Sequence, residues 1–201
     1  MKINKGYLFP TTIYHLDSVL EKNDIEDIRK HIFYMYNNSS VDNWQSESLL
    51  HKNDEFKILV NKITKTAKYI FDDMKYVYEQ FEITDMWANV SKQGEYHGVH
   101  THSNNILSGV FYIQSDQTGN IKFLDPRPAA GVLCPDMKEF NDKNSHICGY
   151  PSNVNTMVLF PSWLQHFVTD NESCKERISL SFNLMFKGFI GGDSSLQSAR
   201  F

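Results

Sequence analysis

Two histidines, His100 and His102, lie two residues apart, and strand spacing would send both imidazoles to one sheet face. Side by side on a rigid strand they are two of the three donors that a facial metal site needs. The third must come from a sequence-distant strand. His166 is the candidate, because it follows Leu159-Phe160-Pro161-Ser162-Trp163-Leu164, an apolar strand and turn that would carry it inward. Three protein ligands on one face leave the opposite face open, and iron(II) uses such a face to bind a cosubstrate and dioxygen together. Neutral imidazole suits iron, zinc, copper and nickel alike, so the ligand types alone do not choose the metal. A His-x-His pair on a strand is also a common surface feature. His97 competes for a place beside His100, although a spacing of three suits a helix rather than a strand. His15, His31, His51 and His146 read as surface or structural side chains.

A second feature lies eleven residues after His166. From Arg177 the sequence alternates, with Arg177, Ser179, Ser181 and Asn183 on one face and Ile178, Leu180, Phe182 and Leu184 on the other. One reading is a half-exposed antiparallel strand whose polar face meets water. The other turns the polar face into the mouth of a barrel. There Arg177 would offer a planar fork to a carboxylate, with the Ser179 hydroxyl beside it.

These residues need elements to position them. Residues 7–15 read as an extended strand. A helix is expected over 24–36, with Ile25, Ile28, Ile32 and Met35 on one face and Asn23 or Asp24 as its cap. Asn37-Asn38-Ser39-Ser40 would end it. A second helix is expected over 54–77, capped by Asn53 or Asp54. Its apolar positions Phe56, Leu59, Val60, Ile63, Ala67, Ile70 and Met74 fall at steps of three and four. After about residue 78 the period changes to two. Strands are expected at 84–91, 96–102, 106–114, 120–124, 155–160, 165–169 and 177–186, separated by Gly, Pro, Asn and Asp clusters. Helices followed by strands imply an α+β domain, with the helices on one outer face of a curved sheet. The turn-rich stretch 125–154 is long enough to be a lid or a binding loop. The tail from Lys187 carries Gly188, Gly191 and Gly192 and is expected to fray.

Composition narrows the classes. The chain has 201 residues, enough for one domain (1–201) with a sizeable core and short for two. Apolar residues make up 41% and charged residues 22%, ordinary globular usage, so the body should not be disordered. A net charge of -4 and the lack of a basic stripe argue against nucleic acid as a partner. No apolar run approaches about 18 residues and no signal-peptide pattern opens the chain, so neither a membrane span nor secretion is expected. Cys134, Cys148 and Cys174 are an odd number without CxxC spacing. They read as free thiols of a reducing, cytoplasmic compartment. Asn38-Ser39-Ser40 fits a glycosylation acceptor only formally.

Taken together, these residues resemble the double-stranded β-helix oxygenases that depend on 2-oxoglutarate and iron. The likeness is greatest to a group related to prolyl hydroxylases and frequent in phages and marine bacteria. The matching stretches are Trp87-Ala88-Asn89-Val90, Gly94 through His100-Thr101-His102, Leu107 through Tyr112, Phe123 through Arg127, Phe160 through His166, and Arg177 through Asn183. They span roughly residues 84–186, a jelly-roll core, with 1–83 as mostly helical support and 187–201 as a tail. The resemblance implies Fe(II) held by His100, His102 and His166, and dioxygen as oxidant. It also implies 2-oxoglutarate chelating the metal through its keto-acid end, with its far carboxylate on Arg177 and Ser179. Asn89 and Tyr112 match positions that touch the cosubstrate. Succinate and carbon dioxide would be the coproducts of hydroxylating a small molecule or a peptide. The sequence sets neither that substrate nor an oligomeric state. One departure stands out: most of the superfamily has His-x-Asp or His-x-Glu where this chain has His102. Glu95 or Asp125 could then supply a carboxylate, and a bulky His102 argues against halogenation. Two other readings are a non-catalytic binding module of the same fold, and a three-histidine dioxygenase that does not use 2-oxoglutarate; Arg177 speaks against the second.

Overall fold

The strands follow the period-two stretches, and their two faces have different neighbours. The computed structural model describes residues 1–37, 41–191 and 196–201. The Asn38-Ser39-Ser40 acceptor, most of the turn expected after the first helix and Gly192 lie outside the described residues. In chain order the elements begin with β1 (Tyr14–Asp17), α1 (Lys22–Tyr36) and β2 (Trp44–Gln45). Single 3-10 turns at Leu50–Lys52 and Asp54–Phe56 lead into α2 (Lys57–Asp73). Then come β3 (Gln80–Ser91), β4 (His97–His100), β5 (Leu107–Gln114), β6 (Ile121–Leu124), β7 (Ile147–Tyr150), β8 (Thr156–Pro161), β9 (His166–Val168), β10 (Arg177–Lys187), β11 (Phe189–Ile190) and β12 (Ala199–Arg200).

Six strands form a large sheet in the order β1-β8-β5-β10-β3-β2, and four form a small sheet in the order β4-β9-β6-β7. All pairings between these strands are antiparallel. Antiparallel strands alternate their side chains, so each sheet has two chemically distinct faces. The outer face of the large sheet presents Ile178, Leu180, Phe182, Leu184, Met86 and Ala88. These join Ile28 and Ile32 of α1 and Leu59, Ile63, Ala67 and Ile70 of α2 in one apolar core. The inner face meets the small sheet through a lesser cluster of Val110, Tyr112, Val158 and Phe160 against Ile121, Phe123 and Leu164. This is a double-stranded β-helix with helices on one outer side, the α+β fold expected.

Several local expectations change. The first strand is Tyr14–Asp17, later than 7–15. Helix α1 is preceded by Glu21 and α2 by Phe56, neither with a side-chain cap, so the Asn23, Asp24, Asn53 and Asp54 caps do not form. Helix α2 stops at Asp73, and Met74 is exposed. Strand β7 lies inside the 125–154 loop, because Ile147–Tyr150 completes the edge of the small sheet beside β6. The tail does not fray at Gly188: β11 pairs β12, and Gly188 and Phe201 exchange two backbone hydrogen bonds of 2.9 Å. Among the described residues no helix is long and apolar enough to cross a membrane, and all three cysteines are free and exposed.

Candidate active site

Strand register builds the site. Across the small sheet His100 of β4 faces His166 of β9, which faces Phe123 of β6. His102 lies just past β4 rather than on it, held where its backbone N–H donates to the Ser162 carbonyl at 3.0 Å. The expected strand over 96–102 is therefore shorter, yet the three rings converge. Ring centroids are 4.2 Å apart for His100 and His166, and 5.1 Å for each of the other two pairs. One ring nitrogen from each lies within 4.8 Å of the others, a group that could hold a metal ion.

The second nitrogens help. Nδ1 of His100 is 2.8 Å from the Gly98 carbonyl oxygen, and Nδ1 of His166 is 2.9 Å from that of Leu164. A carbonyl only accepts, so Nδ1 carries the proton in each ring and Nε2 keeps its lone pair free. Burial pushes the pKa of His102 and His166 down to about 4, which keeps both rings neutral and able to donate to a metal at neutral pH. No carboxylate belongs to this group among the described residues. Glu95 accepts backbone N–H bonds from Asn43 (2.8 Å) and Lys92 (2.7 Å). Asp125 pairs with Arg127 at 2.7 Å. Each is occupied elsewhere, so the converging group consists of three imidazoles.

The large sheet contributes a second set. Ser179 of β10 lies between Asn89 of β3 and Tyr112 of β5, and Gln45 of β2 extends the same row. All four line one cavity of ≈ 70 Å³ together with His100, His102, His166 and Arg177. Arg177 is only 2% exposed. Its Nη1 donates to the Gly119 carbonyl at 2.6 Å and its Nη2 to the Ser91 hydroxyl at 2.9 Å. Gly119 adopts φ +67°, and a Cβ there would sit 2.7 Å from Nη1, so only glycine allows this approach. Nε of Arg177 is buried without a hydrogen-bond partner, and no carboxylate pairs with the guanidinium among the described residues. Burying an unpaired cation is costly, and burial lowers its pKa accordingly. Burial also pushes the Tyr112 hydroxyl up to about 12, so it stays protonated and able to donate. A dry cation beside free hydroxyls is a cradle for an anion.

Further residues line this cavity. Trp87 and Ser181 share strand faces with Asn89 and Ser179, and extending the same alternation would have found them. His97 lines it too. The strand irregularity between His97 and His100 lets residues three apart face the same way, which a flat strand does not allow. Gln45 sits on a two-residue strand that leaves no periodic signal. The 125–154 stretch lines none of this cavity. It borders a separate space of ≈ 670 Å³ with residues 5–11.

Comparison with known proteins agrees with this geometry. Residues 85–183 match the family described as "Putative 2OG-Fe(II) oxygenase". No curated relative matches the sequence. Among solved structures, a prolyl-4-hydroxylase from Pseudomonas putida superposes with a TM-score of 0.64 at 11% identity, covering 89% of this chain and 94% of its own. HygX from Streptomyces hygroscopicus, solved with nickel, 2-oxoglutarate and hygromycin B bound, gives 0.62 at 10% identity, covering 87% and 83%. A viral collagen prolyl hydroxylase from Paramecium Bursaria Chlorella virus-1, as its 2-oxoglutarate complex, gives 0.58 at 12% identity, covering 86% and 94%. At such identities the likeness is one of fold. The family match covers the strands that carry the three imidazoles and the buried arginine, and over those residues this chain is similar to the 2-oxoglutarate/iron(II) oxygenases.

Proposed function

We propose that His100, His102 and His166 hold Fe(II), and that Arg177, with Ser179 and Tyr112, holds the far carboxylate of 2-oxoglutarate. Asn89 lines the path between them. The observation that carries this reading is the pairing, in one cavity, of three converging imidazoles with a buried guanidinium that lacks an anion. Each half is incomplete alone. A dianionic keto acid that chelates the metal at one end and meets the guanidinium at the other would complete both. Three neutral ligands leave the metal's full double charge facing that dianion, an electrostatic gain that a His-x-Asp site lacks. The metal supplies the site for dioxygen and for oxidative decarboxylation of the keto acid. The protein's own part is to fix the three donors by backbone carbonyls, to dock the far carboxylate, and to keep that end dry. The bound substrate, a small molecule or a peptide, would be hydroxylated with release of succinate and carbon dioxide.

The test is anaerobic titration of the Fe(II)-loaded protein with 2-oxoglutarate, followed by succinate assay in air. Binding and slow succinate formation are expected, both strongly weakened in Arg177→Met. His102→Ala should weaken iron binding at least about tenfold, whereas His102→Asp should retain it. Unchanged iron affinity in His102→Ala would remove His102 from the ligand set.

A further inference from the structure

The cavity has two depths, and the strand register assigns residues to each. The metal depth is the row His100–His166–Phe123 across β4, β9 and β6. The next row is His97–Val168–Ile121. His97, Val168 and Ile121 all line the cavity. Gly119, two residues before Ile121, accepts the Arg177 hydrogen bond. The side chain of Arg177 therefore crosses from the large sheet to the end of the small sheet that bears His97. That imidazole is half-buried, and neither ring nitrogen has a hydrogen-bond partner among the described residues. Burial and the nearby Arg177 charge favour its neutral form, which carries one N–H donor and one acceptor. A half-buried, unpartnered donor at the guanidinium end of the cavity has a use only if an acceptor occupies that end.

We propose that His97 is a further cosubstrate-binding residue, donating a hydrogen bond to the same far carboxylate that Arg177 holds. This rests on the 2-oxoglutarate reading above and adds a contact from the small sheet to those from the large one. The carboxylate is then gripped from both sheets: Arg177, Ser179 and Tyr112 on one side, His97 on the other. Four acceptor lone-pair sites on a carboxylate accommodate that number of donors. The strand irregularity between His97 and His100 then has a function, since it lets one short strand serve both the metal and the anion.

The test compares two keto acids on the Mn(II)-loaded protein by calorimetry. 2-Oxoglutarate carries the far carboxylate, while pyruvate has the same chelating end without it. In His97→Phe, 2-oxoglutarate should bind about 5- to 20-fold more weakly, the loss of one hydrogen bond to a charged group. Pyruvate and Mn(II) affinities should stay at the wild-type level. His97→Asn, which keeps a donor, should recover part of the loss. Equal weakening of both keto acids would overturn the proposal, because His97 would then act on the metal. So would unchanged 2-oxoglutarate binding in His97→Phe while Arg177→Met still loses it. If Arg177→Met also binds 2-oxoglutarate like the wild type, the cosubstrate reading itself fails and His97 falls with it. A melting curve for each variant identifies misfolding, in which case the Asn variant carries the comparison.

Discussion

The two faces of β10 are both largely hidden from water and chemically opposite. Ile178, Leu180, Phe182 and Leu184 are 0% exposed against the helices, and Arg177, Ser179 and Asn183 are at most 5% exposed on the inner side. The outer face gains from burial, because apolar surface leaves water. The inner face loses from it: a cation sits dry without an anion, its Nε unpartnered, and the Ser179 and Tyr112 side chains open onto the same cavity. Two residues of this face are partnered: Ser181 accepts from Asn89 at 3.1 Å, and Asn183 accepts at 2.8 Å from Ser108, which in turn bonds Ser162 at 2.8 Å. That network braces the turn that leads to His166. One strand therefore carries stability on one side and unsatisfied binding potential on the other.

Single substitutions should separate the two faces. The largest effect belongs to the outer one. Leu180→Ala should destabilise the fold by about 2–5 kcal/mol in denaturant titration, with the 2-oxoglutarate affinity of the folded protein unchanged. A parallel loss of affinity would mean that the faces are not independent. Next is Arg177→Met, which keeps the volume and removes the charge. It should cost about 1.5–3 kcal/mol of 2-oxoglutarate binding, yet leave the melting temperature of the ligand-free protein no lower than the wild type's. A clear fall in melting temperature would show that Arg177 stabilises the fold through Gly119 and Ser91. Ser179→Ala is expected to act in the same direction on binding by a few-fold only, about 0.5–1.5 kcal/mol.

The smallest effect is one of pH on the metal-free protein. His97, His102 and His166 are held near a pKa of about 4 by burial, against an ordinary value of 6.5. Between those values the unfolded chain takes up protons that the folded chain refuses. Their contribution to stability is therefore complete above about pH 6.5 and declines as the pH falls toward 4. His97→Phe removes one of the three groups, so its melting temperature should fall less steeply between pH 6.5 and 4.5. Curves that run parallel to the wild type would show that His97 titrates normally.

Much of this site could be read from spacing. The alternation from Arg177 to Leu184 separated the two faces correctly, and His100, His102 and His166 do converge. What spacing missed follows from departures from ideal strands. A separation of three is not a strand period, so spacing alone does not place His97 beside His100, and an irregular β4 brings it inward. His102 reaches the group from a turn after the strand, positioned by the Ser162 carbonyl rather than by alternation. Strand β7 was hidden in a turn-rich stretch, since Ile147-Cys148-Gly149-Tyr150 is an exposed edge with no apolar period. The expected caps do not form because α1 already begins at Lys22, before Asn23 and Asp24, and a 3-10 turn leads into α2. Tertiary contacts chose these details, and local sequence does not record them.

The pairing of β1 with β8 bears on the order in which the chain can fold. Tyr14 to Asp17 form the edge of the large sheet against Thr156 to Leu159. Just beyond, Leu20 and the Asn155 side chain exchange two hydrogen bonds, 2.9 and 2.8 Å, across 135 positions of sequence. Long-range strand pairing of this kind is slow, because the closure entropy comes before the contacts that reward it. During synthesis α1 and α2 emerge early, with the apolar stripes that later cover β10 facing water. The first strand has no partner until most of the chain has left the ribosome. Nascent chains halted before residue 156 should therefore expose those stripes to chaperones, and release should come with the arrival of β8 and β10 together.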